Sequence, residues 1–276
     1  MSSSTDIAAR RRAFRQLHET GCFVIPNPWD VGSAKYLEKL GFQALATTSS
    51  GVAWRHGKAD GQMTVDEVLV HLREMAEATN LPVNADFEGG HAQDAEGVAR
   101  NVRRAIDTGV AGISIEDSTG DANAPLRDVA TSVQRMRAAR RAIDESGTET
   151  MLVGRAENFI VGRPDLDDAI ARLKAYSEAG ADCLYAPGVK TREQIEAVVK
   201  AVAPKPVNLL IGFPTELTLA DAKALGVRRI SVGGALARSA WGGFMRTAQQ
   251  IAGEGRFDGF AQAASGLELN QLMRGG

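Results

Sequence analysis

Apolar runs of three to five residues alternate with amphipathic stretches along almost the whole chain. Short runs rich in β-branched residues are typical of buried strands, and apolar residues at every third or fourth position are typical of helices. The pattern predicts strands at residues 22–25, 44–47, 83–86, 112–116, 151–155, 183–186, 207–211 and 229–232. It predicts helices after them, near residues 31–40, 65–77, 95–107, 129–145, 166–178, 192–202, 219–225 and 234–251. Eight strands, each followed by a helix, predict an α/β fold of the (β/α)8 TIM-barrel type.

A repeated junction supports the barrel. Four of the predicted strands follow a helix that ends at a glycine: Gly41, Gly109, Gly180 and Gly226. Glycine at this point takes the left-handed conformation that ends a helix. Two of the other strands are preceded by Pro82 and Pro206, which deliver an extended chain. An open doubly wound sheet would fit the alternation too, but the first strand is not followed by GxGxxG, which favours the barrel.

The chain is predicted to form a single domain over residues 1–276, because no linker rich in Gly, Ser or Pro divides it. The barrel takes about residues 21–252, after an N-terminal helix near residues 5–18. A C-terminal helical extension over about residues 254–276 is expected to pack on another subunit or on the base of the barrel. The arginines of the N-terminal helix are interpreted as a solvated face rather than a nucleic-acid surface, since no aromatic or basic companion follows them.

Composition excludes several functional classes. A net charge of -2 provides no field that would attract nucleic acid or an acidic membrane. No apolar run approaches the ~20 residues of a membrane span, and residues 1–4 lack the apolar core of a signal peptide. Cys22 and Cys183 lie at apolar positions and are interpreted as core residues. We therefore expect a cytoplasmic protein that binds neither membrane nor nucleic acid.

Acidic side chains stand at the ends of the third and fourth predicted strands. The sequence VNADFEGG over residues 83–90 carries Asn84, Asp86 and Glu88, and ISIED over residues 113–117 carries Glu116 and Asp117. Buried carboxylates are costly unless they are paired or bound to a cation, and the ends of barrel strands converge at one mouth. Hard oxygen ligands without a His or Cys cluster select Mg²⁺ or Mn²⁺ over zinc. The sequence therefore predicts an oxygen-rich metal site at this mouth.

Other strand ends bring further polar groups to the same mouth. They include Trp29, Ser49, Ser50, Gly51, Asp60, Arg155, Glu157, Asn158, Tyr185 and Asn208. Arg155 supplies a forked and permanently charged donor that suits a substrate carboxylate. Ser49, Ser50 and the backbone of Gly51 suit a second carboxylate or an oxyanion. Each of these residues alone is a weak indication of a site. The prediction of a site is specific because six strand ends indicate the same chemistry.

Together these motifs resemble the isocitrate lyase/phosphoenolpyruvate mutase superfamily from about residue 22 to residue 246. The matching segments are NPWDVGSA at 27–34, TSSG at 48–51, DGQ at 60–62 with Glu67 after it, VNAD at 83–86, IED at 115–117, GR at 154–155 and PVN at 206–208. The resemblance implies a Mg²⁺-dependent enzyme that acts on a small 2-oxo or 2-hydroxy acid through a pyruvate-like enolate. It also implies a homotetramer in which subunits exchange their C-terminal helices.

The resemblance implies roles for individual residues. The metal positions are Asn84, Asp86, Glu116 and Asp60. The substrate-binding positions are Trp29, Ser49, Ser50, Gly51, Arg155 and Asn208. Of these, Ser49, Ser50 and Gly51 match the family turn that binds a substrate carboxylate. The catalytic residues implied are Arg155, Glu116 and Asp60.

Two departures from the family pattern narrow the function. The family usually has Asp-x-Asp on the third strand, and this chain has Asn84-Ala85-Asp86. An amide oxygen can ligate Mg²⁺ but adds no negative charge. We therefore expect weaker affinity for Mg²⁺ unless the carboxylate of Glu88 supplies the missing charge. The cleaving lyases carry a Lys-Lys/Arg-Cys-Gly-His loop after the fourth strand, whereas residues 118–125, STGDANAP, contain no Cys, Lys or His. Cleavage of isocitrate or methylisocitrate through such a general acid is therefore not expected, although the polar loop suits a mobile lid.

The leading hypothesis is a Mg²⁺-dependent carbon–carbon lyase or decarboxylase that acts on a small oxo- or hydroxy-acid such as oxaloacetate or a malate derivative. One alternative is phosphorus–carbon chemistry, as in a phosphoenolpyruvate mutase or phosphonopyruvate hydrolase, although the lid has no Lys or Arg before Arg127. A second alternative is a catalytically silent barrel that binds a 2-oxo acid, which Asn84 and the composition of the lid motivate. The loop histidines, His56 and His91, are interpreted as solvated or capping residues.

Overall fold

The structure, a computed structural model, describes residues 4–274. Its strands are β1 Phe23–Ile25, β2 Leu45–Ala46, β3 Val83–Asp86, β4 Gly112–Glu116, β5 Met151–Arg155, β6 Cys183–Tyr185, β7 Val207–Leu210 and β8 Arg229–Ser231. Its α-helices are α1 Ser4–Leu17, α2 Val31–Lys39, α3 Ser49–Arg55, α4 Val65–Ala78, α5 Ala95–Ile106, α6 Val129–Glu145, α7 Leu166–Glu178, α8 Arg192–Val202, α9 Leu219–Ala224, α10 Ala235–Glu254 and α11 Gly266–Arg274. A 3₁₀ turn over Asp258–Gln262 precedes α11.

The eight strands form one parallel sheet in the order β1-β8-β7-β6-β5-β4-β3-β2. The N–H of Ala46 donates a hydrogen bond of 3.0 Å to the carbonyl of Pro26, so the first and second strands also meet. The sheet is therefore a nearly closed (β/α)8 barrel surrounded by helices, as the sequence predicted. In such a barrel the carboxyl ends of all strands lie at one mouth.

Local sequence signals explain most helix boundaries. The helices α2 to α9 begin at an Asp or Thr whose side chain accepts a hydrogen bond from the first turn: Asp30, Thr48, Thr64, Asp94, Asp128, Asp165, Thr191 and Thr218. Such caps satisfy N–H groups that have no partner within the helix. The four junction glycines have φ values of 85°, 93°, 104° and 84°, which confirms their predicted left-handed conformation. The sequence missed α3, because residues 48–51 were interpreted as a turn.

The predicted solvated face of the N-terminal helix is wrong for two of its arginines. Arg10 and Arg11 are buried against the barrel. Arg10 donates to the carbonyls of Ala76 and Thr79 at 2.7 and 3.0 Å, and Arg11 donates to the carbonyls of Val110 and Ile106 at 3.0 and 2.8 Å. These carbonyls lie at or just beyond the C-terminal ends of α4 and α5, where backbone acceptors lack helical partners and cations are favoured. The basic run therefore holds α1 onto the base of the barrel.

The last helices cover little of the barrel. In α10 only Ala237 is buried, and large side chains of this helix are exposed, including Trp241 at 40% and Phe244 at 63%. The helix α11 packs against α2, where the Met273 methyl group lies 3.0 Å from the site of a Cβ on Gly32. The C-terminal extension thus contacts the outer ring of its own subunit. In the part of the chain that the structure describes, no helix is both long and apolar enough to cross a membrane. The single-domain organisation stays a prediction.

Candidate active site

The site forms where β3, β4 and β5 end side by side. The register pairs Glu116 of β4 with Arg155 of β5, and Arg155 in turn with Tyr185 of β6. The Arg155 Nη1 lies 3.1 Å from Asp86 Oδ1 and 3.2 Å from Glu116 Oε2, and its Nε donates to the Glu157 carboxylate. Strand register therefore brings together groups that lie about 30 to 70 residues apart in sequence.

Arg155 is held on several sides. Its side chain is 17% exposed, and its guanidinium lies 5.2 Å from the centre of the Tyr185 ring. Burial opposes its charge, but the carboxylates of Glu157, Glu116 and Asp86 outweigh that effect and hold the pKa of Arg155 well above its usual value. Its ion pairs with other described residues use Nε and Nη1 alone. A fixed guanidinium with Nη2 left over is suited to bind a carboxylate of a ligand.

Ser49 joins two of the predicted metal carboxylates. Its N–H, at the first position of α3, donates a hydrogen bond of 2.9 Å to Asp86 Oδ2. Burial, and then the charge of Asp86, raise the pKa of Asp60, whereas the nearby Ser49 side chain acts in the opposite direction. The helix start, which sequence reasoning missed, therefore draws the long loop after β2 toward the end of β3. Asp60, Asp86 and Glu116 thus lie around the same mouth.

The site carries more negative charge than its arginine balances. Burial raises the pKa of Glu116 well above its usual value, and burial also raises the pKa of Glu157, in each case against the effect of Arg155. Burial, followed by the charges of Asp86 and Asp60, raises the pKa of Glu88 to about 7. Such shifts show buried carboxyl groups that lack enough positive charge nearby. A bound cation would relieve this surplus.

Glu88 owes its place to an unusual backbone conformation. Its φ is 45°, in the left-handed region that residues other than glycine seldom adopt. Arg135 donates to the carbonyls of Gly89, Ala92 and Gln93, and Asn101 donates to the carbonyls of Gly90 and His91. These contacts fix the loop after β3 and turn Glu88 toward the acidic cluster. The second lone histidine of the sequence analysis, His91, belongs to the same loop and has a φ of 49°.

The donor chemistry fits Mg²⁺ held largely through water. Within residues 4–274, no three carboxylate, His or Cys side chains lie together closely enough to hold an ion directly. Mg²⁺ keeps several waters and commonly takes one or two carboxylates directly. The oxygen-only surroundings and the surplus charge at Asp60, Asp86, Glu88 and Glu116 match that preference. These are the residues that would hold the ion.

Asn84 and Asn208 lie one layer deeper in the barrel than the carboxylates. Asn84 stands two residues before Asp86 on β3, so it faces the same side one step toward the base. Its Oδ1 lies 3.4 Å from Nη1 of the buried Arg229, whose Nε donates to Asn208 Oδ1 at 2.8 Å. The same Nη1 lies 3.4 Å from His18 Nε2 on the segment after α1. This placement does not support Asn84 as a ligand, because its amide oxygen faces a fixed cation, and Asn208 lies beneath the mouth.

The remaining substrate residues gather where α3 meets α10. A Cβ on Gly51 would lie 2.9 Å from the Trp29 Cβ and 3.5 Å from the Ala237 Cβ, so this close approach requires glycine. A Cβ on Gly234 would lie 2.7 Å from Ser50 Oγ. The helix α10 starts at Gly234 without a side-chain cap, so the uncapped first turn of this helix lies beside that hydroxyl. Backbone N–H groups at a helix start favour an anion.

The loop after β4 forms a small closed turn. Ser118 pairs with Leu126 across its base, the N–H of Thr119 donates to Pro125 at 3.0 Å, and the Arg127 guanidinium donates to the carbonyl of Ser118. Its outer residues, 120–124, are exposed. Sequence reasoning gave no role to Glu157, Asp117 or Tyr185, although each lies at a strand end. Tyr176 on α7 was missed entirely, because nothing in its local sequence indicates which strand end it reaches.

Comparisons with known proteins show the family to which the chain is similar. The sequence profile of the family described as phosphoenolpyruvate phosphomutase matches residues 14–252. An oxaloacetate decarboxylase of Rhodopseudomonas palustris (strain BisB5) is 33% identical over 240 residues, which cover 82% of this chain and 78% of the relative. A crystal structure from Burkholderia cenocepacia J2315, described only by class as a lyase/mutase, is 44% identical with a TM-score of 0.94 and covers 98% of both chains. The structure of oxaloacetate acetylhydrolase in complex with the product oxalate is 25% identical with a TM-score of 0.84, over 96% of this chain and 94% of that one.

Proposed function

This chain belongs to the phosphoenolpyruvate phosphomutase family, within the isocitrate lyase/phosphoenolpyruvate mutase superfamily, and on that premise we propose that it is a Mg²⁺-dependent carbon–carbon lyase. Its substrate is a small 2-oxo or 2-hydroxy dicarboxylic acid, and decarboxylation of oxaloacetate is the leading reaction. The observation that carries the proposal is the fixed Arg155 guanidinium beside an acidic cluster that lacks positive charge. Relatives named for reactions of oxaloacetate support this choice of substrate.

Each group at the mouth has a part in the proposed reaction. Arg155 binds the carboxylate next to the 2-oxo group and fixes its orientation. Ser49, Ser50 and Gly51, at the start of α3 and beside the start of α10, form the turn that binds the second carboxylate. The Ser50 hydroxyl is its donor, because the N–H groups of Ser49 and Gly51 already donate to Asp86 and Thr48. Trp29 closes the wall beside them, and Asn208 supports the floor. Asp60, Asp86 and Glu116 are the residues that would hold Mg²⁺, and Glu88 would add a fourth carboxyl group.

The chemistry requires little proton transfer from the protein. When bound, Mg²⁺ supplies positive charge for the enolate oxygen that forms as the carbon–carbon bond breaks. In oxaloacetate the carboxylate that leaves as CO₂ is the one β to the oxo group, and the electrons of the broken carbon–carbon bond move into that oxo group to form the enolate, so this step needs no general base. The enolate then takes one proton from water to give pyruvate. This suits a lid without Cys, Lys or His. A cleavage that needs a thiol acid in that loop does not suit it.

A turnover screen of the purified protein tests the proposal. Oxaloacetate, substituted malates and phosphonopyruvate are each supplied with Mg²⁺, and release of pyruvate, glyoxylate, CO₂ or phosphate is measured. We expect release of pyruvate and CO₂ from oxaloacetate. Phosphate from phosphonopyruvate alone would favour phosphorus–carbon chemistry. Binding of 2-oxo acids, seen as a rise in Tm without any product, would favour a silent binding barrel.

We also propose that the protein is a homotetramer in which α10 packs against a neighbouring subunit. The exposed aromatic face of α10, with Trp241 and Phe244, supports this, because large exposed apolar patches mark interfaces. Trp241→Glu should reduce the assembly, since it puts a charge into the buried contact. Light scattering should give about four times the chain mass of 29.3 kDa for the parent protein and a smaller species for the variant.

Val70→Glu is a matched control for the assembly, because Val70 is an apolar residue of α4 that is 60% exposed. This control should keep the parent mass. A parent protein that runs as a monomer would contradict the proposed tetramer. The cytoplasmic location stays a prediction.

A further inference from the structure

Two neighbouring acidic residues at the end of β4 face opposite sides of the barrel wall. Glu116 reaches Arg155 at the mouth, whereas Asp117 is 2% exposed and lies on the side of α7. A buried carboxylate is costly unless donors satisfy it. Asp117 is satisfied fully, and the donors that it binds connect two parts of the site.

The first connection runs from Asp117 to Arg155. Asp117 Oδ1 accepts the backbone N–H of Glu157 at 2.9 Å, which fixes the chain immediately after β5. The Glu157 carboxylate, itself buried, accepts from Arg155 Nε. Glu157 is therefore the group that orients the Nε side of the Arg155 fork, and Asp117 fixes the backbone of Glu157.

The second connection runs from Asp117 to the base of the lid. Its backbone carbonyl accepts the N–H of Arg127 at 2.9 Å. The Arg127 carbonyl accepts from Arg172 Nη1 at 2.8 Å, and that same Nη1 lies 3.1 Å from Asp117 Oδ2. The Arg127 guanidinium in turn holds Ser118 at the other end of the loop. One carboxylate thus anchors the base of the lid as well as Glu157.

The helix α7 supplies the donors that keep Asp117 in place. Tyr176 donates its hydroxyl to Asp117 Oδ2 at 2.5 Å, and Arg172 pairs with both Asp117 and Asp168. Burial, and then the charge of Asp117, raise the pKa of Tyr176, so the phenol stays protonated and remains a donor. Since α7 belongs to the outer ring, its packing reaches the mouth through these side chains.

We propose that Asp117, held by Tyr176 and Arg172, is a positioning residue that sets the orientation of Arg155 through Glu157 and ties that orientation to the base of the lid. The catalytic part of this inference rests on the proposed function, in which Arg155 binds the substrate carboxylate. A group that orients a binding arginine affects catalysis strongly, because a misplacement of about 1 Å can cost ~10²-fold in rate. A cluster that only stabilises the fold would change the free energy of unfolding and leave the kinetic constants alone.

Tyr176→Phe is the variant that tests the inference, because it removes one hydrogen bond to Asp117 and keeps the ring in the core. We expect kcat for the substrate found in the screen to fall about tenfold and KM to change less than about threefold. The charge of Arg155 still attracts the carboxylate, but its fork is no longer held in the productive direction. Asp117→Asn should lower kcat more than Tyr176→Phe does, since the amide places N–H groups against the guanidinium of Arg172. Tyr36→Phe, on a residue of α2 that is 51% exposed, is the matched control and should leave both constants unchanged.

A double-mutant cycle separates positioning from general stabilisation. In an Arg155→Lys background, Tyr176→Phe should have little further effect on oxalate affinity, while its effect on Tm should persist. Oxalate is the probe because it resembles the enolate of a 2-oxo acid. Equal losses of affinity in both backgrounds, or a Tyr176→Phe protein with unchanged kcat and KM, would overturn the inference.

Hydrogen exchange tests the coupling without substrate. The amides of Glu157 and Arg127 both bond to Asp117, so both should exchange faster in Tyr176→Phe than in the Tyr36→Phe control. If neither amide changes, the inference is wrong. If the parent protein converts none of the acids, the proposed function fails, and the exchange data still decide whether Asp117 links the lid base to Glu157.

Discussion

Replacing Arg155 with alanine should abolish turnover, a fall of about 10³-fold or more in kcat/KM, in a protein that remains folded. The guanidinium is the donor that we assign to the substrate carboxylate, and loss of one fixed donor at a reacting centre typically costs ~10² to 10³-fold. Here the variant also loses the permanent charge that attracts an anionic substrate into an acidic mouth. Steady-state kinetics with the acid identified in the screen measure the effect, and circular dichroism checks the fold.

The stability of the Arg155→Ala protein follows from the carboxyl groups that it leaves behind. Asp86, Glu116 and Glu157 lose their shared ion-pair partner. Breaking a buried pair typically costs ~3 to 5 kcal/mol. Burial raises the pKa of Glu116 and of Glu157 above the usual value, so in the variant these groups take up protons more readily, and this limits the cost of their lost partner. We therefore expect a lower Tm with native secondary structure at 25 °C.

Arg155→Lys is the matched variant, because it keeps the charge and loses the planar fork. It should retain more of the fold stability than Arg155→Ala and still lose most of the activity, since lysine cannot bind Glu157 and a substrate carboxylate with the same geometry. Full activity in Arg155→Ala would remove Arg155 from the site. Full activity in Arg155→Lys would show that only its charge matters.

Removal of divalent metal should abolish turnover reversibly. EDTA should stop the reaction of the parent protein, and excess Mg²⁺ should restore it, because the surplus of carboxylates at the mouth then regains a cation. Mg²⁺ should also raise Tm of the parent protein in the absence of substrate, since an ion that binds only the folded state stabilises it. This second measurement reports the metal site independently of catalysis.

Asp86→Asn locates that metal site. Asp86 accepts from the Ser49 N–H and from Arg155, so an amide of the same size removes one charge and also places an NH₂ group against one of these two donors. We expect the Mg²⁺-dependent rise in Tm to shrink and kcat/KM to fall about 10²-fold or more. Asp66→Asn is the control, because Asp66 is an exposed carboxylate of α4 paired with Arg104. A parent protein that turns over fully in EDTA, with no response of Tm to Mg²⁺, would rule out the proposed cofactor.

Asn84, which stands where the family usually has an aspartate, faces Arg229 in the interior of the barrel. A carboxylate at this position would face Arg229 across the barrel interior, whereas the amide presents only a neutral acceptor at 3.4 Å. The charge of Arg229 is therefore not neutralised by its partners Asn84, Asn208 and His18. The neutral residue on the third strand thus lies among the partners of Arg229, one layer beneath the carboxylates.

Much of the fold followed from local signals. The apolar runs located all eight strands, and β3, β4 and β5 have the predicted bounds. The junction glycines and the Asp and Thr caps set the helix ends, because backbone conformation and the need to satisfy end groups act within a few residues. The sequence also placed Asp86, Glu116 and Arg155 at one mouth, since the ends of parallel strands in a barrel must meet there. The helix α3 escaped prediction because residues 49–55 contain serines and a glycine in place of a clear apolar stripe.

Only the tertiary structure decided which of these groups touch. Strand register put Glu116 opposite Arg155, and the choice of side-chain conformation gave Nη1 to Asp86 and Glu116 and Nε to Glu157. Only the tertiary structure shows the contacts of the buried arginines of α1 and the contact of Tyr176 with Asp117. These contacts join residues about 60 to 100 positions apart in sequence. Local sequence patterns determine which side of a strand or helix a residue occupies, because strand and helix periods are local properties. The partner on that side depends on how separate elements pack, and this depends on the whole chain at once.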